Sequence, residues 1–191
     1  ICSLFLGVSH QWWVEKHNKH HAHPNTEDVD PDIDFPILAF STKQARAKKG
    51  FTRFIVRHQA FLFFPMLCFV SVSLRVGGID FLLRKHLSYT WLDILIIVAH
   101  FLIYVAFVFL LFTPLHGVLF ILVHQALFGL YMGSIFAPNH KGMPVLDRAT
   151  KMDFLREQVL TARNIRGNML IDMWYGGLNY QIEHHLFPAM P

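Results

Sequence analysis

The longest apolar stretch of the sequence determines its predicted architecture. No Asp, Glu, Lys or Arg occurs between Asp93 and Lys141. A membrane-spanning helix needs about 20 apolar residues, so this stretch is long enough for two. Turn-forming Pro and Gly residues interrupt it at 113–117. We therefore predict a hairpin of two transmembrane helices, at about 94–112 and 117–136.

A third apolar stretch, from Phe61 to Leu74, is shorter and contains Pro65. Such a segment fits either a membrane span or a helix that lies in the membrane interface. Histidine clusters at 17–23 and 184–185 must lie on the same side of the membrane if they act together. The hairpin already supplies the two crossings that this requires. We therefore predict an interfacial helix at about 59–76 that does not cross the membrane fully.

The composition supports a membrane protein with one domain over residues 1–191. Hydrophobic residues make up 53% of the chain, charged residues make up 16%, and 19 residues are Phe. This balance is unusual for a water-soluble globule. We predict an all-α polytopic membrane protein with a transmembrane helical hairpin, interfacial helices and a cytoplasmic histidine-rich cap. Cys2 and Cys68 both lie in apolar runs and are predicted to be free thiols.

Charge is distributed unevenly along the chain. The segment 41–57 contains no acid and six basic residues, which are Lys43, Arg46, Lys48, Lys49, Arg53 and Arg57. An excess of Lys and Arg beside an apolar segment is typical of the cytoplasmic side of a membrane. A nucleic-acid-binding surface is disfavoured because no soluble binding domain accompanies these charges. The acidic run 27–34 is predicted to be a solvated loop, with salt bridges to the basic segment or a docking face for an electron donor as alternatives.

The first histidine cluster is His17-Asn18-Lys19-His20-His21. Residues three and four positions apart share one face of a helix, so these three imidazoles can converge. Neutral imidazole is a good ligand for iron, copper or zinc. A solvated histidine-rich loop is the alternative if this cluster is considered alone.

A second cluster, Gln181-Ile182-Glu183-His184-His185, repeats this spacing with Gln in the first position. A Gln side chain can occupy a ligand position through its carbonyl oxygen or through a bound water. Two clusters of equal spacing, each near apolar segments, predict a shared metal site. No His is followed by Glu and no Glu-x-x-His occurs, which excludes HExxH zinc hydrolases and soluble di-iron bundles. A site rich in His and poor in carboxylate favours iron or copper for oxygen chemistry.

These two clusters resemble the histidine boxes of membrane fatty-acid desaturases. The first is similar to the second box of the family, HxxHH, and the second is similar to the third box in its QxxHH form. The QxxHH form is typical of front-end desaturases, which insert a double bond between an existing one and the carboxyl end. The resemblance covers nearly the whole chain and includes Trp12-Trp13, His23-Pro24-Asn25, Asp30-Pro31-Asp32-Ile33-Asp34, Asn179-Tyr180 and Leu186-Phe187-Pro188.

The resemblance implies oxygen-dependent dehydrogenation of a fatty acyl chain that is linked to lipid or to CoA. It implies two iron ions, molecular oxygen, and electrons from a b-type cytochrome or a ferredoxin. The iron ligands implied by the boxes are His17, His20, His21, His184 and His185, with Gln181 as a direct or water-mediated ligand. The family also places a His between the last span and the third box, a position that His140 occupies here.

Two family features do not occur in the sequence. The first histidine box, an HxxxH-like element upstream of the second, is absent, and so is the cytochrome domain of many front-end members. We expect the chain to be truncated at both ends and to be inactive alone. Related activities on the same scaffold remain alternatives: a hydroxylase, a carotenoid ketolase or a sphingolipid desaturase. A membrane metal-binding or transport protein is the alternative from another class, and it would need ionisable residues along its spans.

Overall fold

A computed structural model describes residues 2–84 and 89–189, and this part of the chain consists of helices joined by loops and turns. A short π-helical segment, Cys2–Leu6, precedes ten α-helices in the described residues. These are α1 (His10–Ala22), α2 (Thr42–Ala47), α3 (Gly50–Arg57), α4 (Gln59–Leu67), α5 (Val70–Arg84), α6 (Thr90–Leu111), α7 (Pro114–His140), α8 (Phe154–Thr161), α9 (Met169–Tyr175) and α10 (Gln181–Leu186). The described residues contain no strand, which confirms the all-α prediction.

Two helices are long and apolar enough to cross a membrane, α6 with 22 residues and α7 with 27 residues. At 1.5 Å per residue they measure about 33 and 40 Å, against a hydrocarbon core of about 30 Å. The second helix begins at Pro114, three residues before the predicted start, and Gly117 lies inside it. Pro is favoured in the first turn of a helix because its missing N–H would have no partner there.

The third apolar region forms two helices, α4 and α5, which are bent by 74° at a short break. Pro65 lies inside α4, and a Pro removes one backbone hydrogen bond from the helix. The pair is apolar enough for one broken span or for a re-entrant segment. That this region does not cross the membrane fully stays a prediction.

The chain divides into two compact units. Unit 1 comprises residues 1–16 and 64–132, and unit 2 comprises residues 17–63 and 133–191. The interior of unit 1 contains a buried carboxylate, Asp93, in the first turn of α6. The hydroxyl of Ser9 donates to Asp93 Oδ2 at 2.6 Å, and that of Ser3 donates to Oδ1. These bonds join the N-terminal segment to α6.

Polar contacts also link the apolar helices of unit 1. Arg75 donates from Nε to the carbonyl of Leu6 at 3.1 Å and from a terminal nitrogen to Gln125 Oε1. The three histidines of α6 and α7 that belong to unit 1 are hydrogen-bonded there as well. His100 Nδ1 lies 2.7 Å from the carbonyl of Leu4, His124 Nδ1 lies 2.7 Å from the Tyr104 hydroxyl, and His116 Nδ1 lies 2.7 Å from the Thr113 hydroxyl. Each of these three histidines therefore has a hydrogen-bond partner within unit 1.

One glycine permits an unusually close approach in unit 1. A Cβ atom at Gly129, in α7, would lie 2.5 Å from the backbone oxygen of Cys68 and 2.8 Å from that of Leu67. Backbone atoms cannot move aside as a flexible side chain can. The end of α4 therefore packs against α7 only because position 129 has no side chain.

Unit 2 has a polar interior. Its fully buried side chains include one large aliphatic residue, Ile33, and a set of hydrogen-bonding residues: Asn25, Asp30, Asn139, Gln158, Thr161, Asn179 and His185. Buried polar groups are costly unless they have partners. The expectation of a solvated acidic loop at 27–34 is wrong for Glu27 and Asp30, which are both buried. The alternative of salt bridges to the basic segment is observed for Lys43, whose Nζ lies 3.2 Å from Glu27 and 2.9 Å from Asp28.

We expect Gly129→Ala to destabilise the protein by about 1–3 kcal/mol, the usual cost of overpacking a tight contact. This loss would occur although Ala is the better helix former by about 1 kcal/mol. Thermal unfolding of the full-length protein in detergent would measure it. Val123→Ile is the matched control, because it adds one carbon to an exposed side chain of the same helix. Equal thermal stability of the two variants would contradict the assigned contact.

Candidate metal centre

Three helix ends in unit 2 carry the predicted site residues. His17, His20 and His21 lie in the last part of α1, His140 is the last residue of α7, and α10 carries Gln181, His184 and His185. A tight turn leads from α9 into α10, in which Gly176 adopts a left-handed conformation with φ of 59°. Glycine adopts this conformation without steric cost. The side-chain oxygen of Asn164 accepts from the backbone N–H of Ile182 at 2.9 Å, which holds the start of α10.

The first group of converging imidazoles is formed by His17, His21 and His184. The Nε2 atom of His21 lies 3.0 Å from Nε2 of His17 and 3.2 Å from Nε2 of His184. All three side chains are half-buried. One hydrogen on His21 Nε2 can point at only one of its two neighbours, so internal hydrogen bonds alone do not satisfy all three nitrogens.

The second group is buried and consists of His20, His140 and His185, whose candidate ligand atoms all lie within 4.8 Å of one another. The Nε2 atoms of His20 and His140 are 3.2 Å apart. The Nε2 atom of His185 is buried and has no hydrogen-bond partner among the described residues. This group combines residues from α1, α7 and α10.

In each ring of the buried group, the Nδ1 atom faces away from the converging Nε2 atoms. The hydrogen bond that Nδ1 makes determines which of the two nitrogens carries the hydrogen. His20 Nδ1 donates to the carboxylate of Asp30 at 3.0 Å, and His140 Nδ1 donates to the carbonyl of Thr161 at 3.0 Å. His185 Nδ1 donates to Gln158 Oε1 at 2.8 Å. The orientation of that amide follows from its nitrogen, which donates to the carbonyl of His21 at 3.0 Å.

The buried group consequently fits a metal ion. A neutral imidazole has one N–H, and in all three rings it lies on Nδ1, so each Nε2 presents a lone pair to the others. Lone pairs that face each other at 3.2 Å repel unless a cation lies between them. Two nitrogens bonded to one metal ion at about 2.1 Å lie roughly 3.0–3.4 Å apart. Three Nε2 separations fall in this range, namely those between His20 and His140, His17 and His21, and His21 and His184.

Electrostatics keeps the imidazoles of His21, His184 and His185 neutral, the form that binds a metal ion. Burial, followed by the charge of His184, lowers the pKa of His21 to about 4. Burial and the neighbouring His20 lower the pKa of His184, and burial together with His140 strongly lowers the pKa of His185. Desolvation disfavours a charged ring, and neighbouring imidazoles add to that penalty. At neutral pH these rings therefore retain free lone pairs.

Gln181 lies next to the buried group but presents its amide nitrogen to it. Its Nε2 atom lies 3.0 Å from His140 Nε2, and its Oε1 atom accepts from Asn139 Nδ2 at 2.8 Å. Asn139 also donates to the carbonyl of Leu178 at 3.0 Å, which fixes its orientation. In this arrangement the carbonyl oxygen of Gln181 is occupied by Asn139.

The loop that follows α1 holds Asp30 in place. Asp30 is completely buried and accepts from the backbone N–H of Asn25 at 2.7 Å and of Asp32 at 2.8 Å. Asn25, in a left-handed conformation with φ of 53°, donates from Nδ2 to the carbonyls of His140, Pro144 and Thr161. The loop is thereby fixed to the end of α7 and to α8.

The structure brings together all seven residues predicted from the sequence: His17, His20, His21, His140, Gln181, His184 and His185. It adds the residues that orient them, Asp30, Gln158 and the carbonyl of Thr161. The acidic run around Asp30 predicts a solvated loop, and no sequence pattern marks Gln158. A metal-binding His almost always donates the N–H of its other ring nitrogen to a carboxylate, a carbonyl or a water. A search for such a carboxylate near the first histidine cluster could have identified Asp30.

Several known proteins are similar in sequence to this chain. The chain is 34% identical to the acyl-lipid (9-3)-desaturase of Physcomitrium patens, with 100% of this chain and 38% of the relative aligned. It is 32% identical to the Delta(6)-fatty-acid desaturase fat-3 of Caenorhabditis elegans, with 99% of this chain and 46% of the relative aligned. It is 30% identical to the Delta(8)-fatty-acid desaturase 1 of Arabidopsis thaliana, with 99% and 45% aligned.

The chain thus spans less than half the length of these relatives. No solved structure matches it significantly. The match to the family described as fatty acid desaturase extends over residues 1–191, the entire chain. With this match and its converging histidine boxes, the chain belongs to the fatty acid desaturase family.

Proposed function

We propose that the protein containing this chain is a front-end acyl desaturase. It would insert a cis double bond into a fatty acyl chain, on the carboxyl side of an existing double bond. The observation that carries the proposal is the convergence of histidines from α1, α7 and α10 on one buried point. Relatives named as (9-3)-, Delta(6)- and Delta(8)-desaturases, together with the Gln at position 181, support the front-end assignment.

The proposed ligands divide into the two groups of the site. His17, His21 and His184 would hold one iron ion, and His20, His140 and His185 would hold the other. Gln181 would act as a ligand, directly or through a bound water, in place of its hydrogen bond to His140 Nε2, because that nitrogen has only one lone pair. Iron bound here would supply the oxygen-dependent oxidation of an unactivated C–H bond, which no acidic or basic side chain can perform. Asp30, Gln158 and Thr161 would keep the Nε2 lone pairs directed inwards.

The remaining proposals concern the surroundings of the enzyme. Electrons would come from a b-type cytochrome or a ferredoxin, and the acyl group would be linked to lipid or to CoA. The histidine boxes would lie on the cytoplasmic side of a bacterial plasma membrane or of the endoplasmic reticulum. The basic segment 41–57 supports that side, because Lys and Arg accumulate in cytoplasmic segments.

Product analysis tests the activity directly. The complete protein would be expressed in a host without polyunsaturated lipids and supplied with di- and tri-unsaturated C18 acids. Gas chromatography with mass spectrometry should then show a new double bond on the carboxyl side, and His20→Ala/His184→Ala should abolish it. A hydroxylated or keto product would contradict desaturation and assign a sister activity. Bound iron without oxygen consumption, despite a supplied electron donor, would indicate a metal-binding protein instead.

Metal content tests the ligand assignment separately from activity. We expect the purified complete protein to contain two iron ions, and we expect His185→Ala and His21→Ala each to remove at least one, because they belong to different groups. Elemental analysis by mass spectrometry would count them. His116→Ala is the control, since His116 bonds to Thr113 in unit 1. Undiminished iron in His185→Ala and His21→Ala would contradict the assignment.

Loss of a residue that orients a histidine ring should weaken iron binding without abolishing it. Gln158→Leu and Asp30→Asn should each weaken iron binding by about 10–100-fold, the usual effect of losing an outer partner of a metal-binding His. Competition with a chelator would measure this. Asp28→Asn is the matched control for Asp30→Asn, because Asp28 lies in the same loop but is exposed and pairs with Lys43. Equal iron affinity in the Asp28 and Asp30 variants would argue against an orienting role.

A further inference from the structure

Unit 2 has an exposed surface that the proposed reaction does not use. We call it the basic aromatic surface, and it consists of Arg46, Lys49, Phe51, Arg53, Phe54 and Arg57. Phe51 is 75% exposed and Phe54 is 56% exposed. The four basic side chains belong to exposed residues as well. Large apolar side chains next to uncompensated cations are unusual on a surface that faces only water.

Helix α3 separates these side chains into two adjacent faces. At 100° per residue, Phe51, Phe54 and His58 lie within an arc of about 60°. Lys49, Arg53 and Arg57 are spaced four residues apart and form a neighbouring row. The rings of Phe51 and Phe54 are stacked, with centroids 6.4 Å apart, and the ring of His58 lies 4.5 Å from that of Phe54. The aromatic face is therefore continuous and is bordered by positive charge.

The cations of this surface lack carboxylate partners within the described part of the chain. The neighbouring Lys43 is different, because it pairs with Glu27 and Asp28. Ion pairs elsewhere in the described residues join Arg84 to Asp80 and Arg156 to Asp153, and none involves Arg46, Lys49, Arg53 or Arg57. The positive charge of the surface consequently remains available to an external anion.

We propose that the basic aromatic surface binds the anionic phospholipid headgroups of the membrane in which the protein lies. Helix α3 has eight residues and is far too short to cross a membrane. It immediately precedes the apolar α4, and a basic cluster beside a membrane segment is suited to anionic lipid. Phe51 and Phe54 would enter the boundary between headgroups and acyl chains, while Arg53 and Arg57 contact phosphates.

An acidic protein is the competing occupant of a basic surface. Charge alone would suit either partner, but the two exposed stacked phenylalanines favour the membrane. Bulky aromatic residues on one face with Lys and Arg beside them are typical of a helix that lies in the interface plane. The inference does not depend on the reaction catalysed, and its test requires no turnover.

Hydrogen–deuterium exchange of the complete protein in lipid nanodiscs would test this proposal. One set of discs contains phosphatidylcholine alone, and the other contains about 30% phosphatidylglycerol, a composition chosen to give the negative surface that attracts basic segments. We expect the amides of α3 to exchange at least about fivefold more slowly in the anionic discs, since each Lys or Arg near such a surface contributes a factor of about five. High salt should remove the difference.

Paired variants distinguish this surface from a general effect of charge. Arg53→Gln/Arg57→Gln should abolish the slowing while leaving exchange in neutral discs unchanged, which shows that α3 still folds. Arg148→Gln/Lys151→Gln removes the same charge from exposed positions outside the surface and should retain the slowing. Equal exchange in both discs, or loss of the slowing in both variants, would overturn the proposal. Slowing that requires an added acidic protein would assign the surface to a protein partner and also overturn it.

Discussion

The mutual repulsion of imidazole lone pairs is the constraint on which unit 2 depends. In the buried group, each ring donates its Nδ1–H to a partner that lies outside the group; the rings are those of His20, His140 and His185. The inner side carries three electron pairs, of which the pair on His140 Nε2 accepts from Gln181 Nε2 at 3.0 Å and lies 3.2 Å from His20 Nε2. The outer hydrogen bonds stabilise this arrangement, and a cation bound between the rings would stabilise it further. The outer partners are Asp30, Gln158 and the carbonyl of Thr161, and all three residues are buried.

The same constraint explains why the interior of unit 2 is polar. A core of aliphatic side chains would pack well, but it would offer no acceptor for the Nδ1–H groups. Burying these partners costs free energy unless every donor and acceptor is matched. Both polar atoms of the Gln158 amide have a partner, because Oε1 accepts from His185 Nδ1 and Nε2 donates to the carbonyl of His21. Unit 1, by contrast, places most of its polar contacts between helices whose outer faces are apolar, as suits a membrane environment.

Local spacing predicted much of this arrangement. The paired HxxHH and QxxHH patterns indicated which histidines share a helix face, and the uncharged stretch after Asp93 indicated two long helices. The orienting residues escaped prediction because they meet their partners across 27 residues for Gln158 and His185 and 21 residues for Thr161 and His140. Burial of Asp30 was missed for another reason. An acidic run looks solvated in sequence, and only the loop around Asn25 shows that this carboxylate turns inwards.

The distance along the chain between the members of the buried group has a consequence for biosynthesis. His20 meets His140 across 120 residues, and His185 follows His140 by a further 45 residues. A ribosome that has completed α7 has made two of the three imidazoles but cannot yet close the group. The buried arrangement therefore arises only after α10 has emerged, and an ion that needs all three imidazoles can be held only from that point onwards.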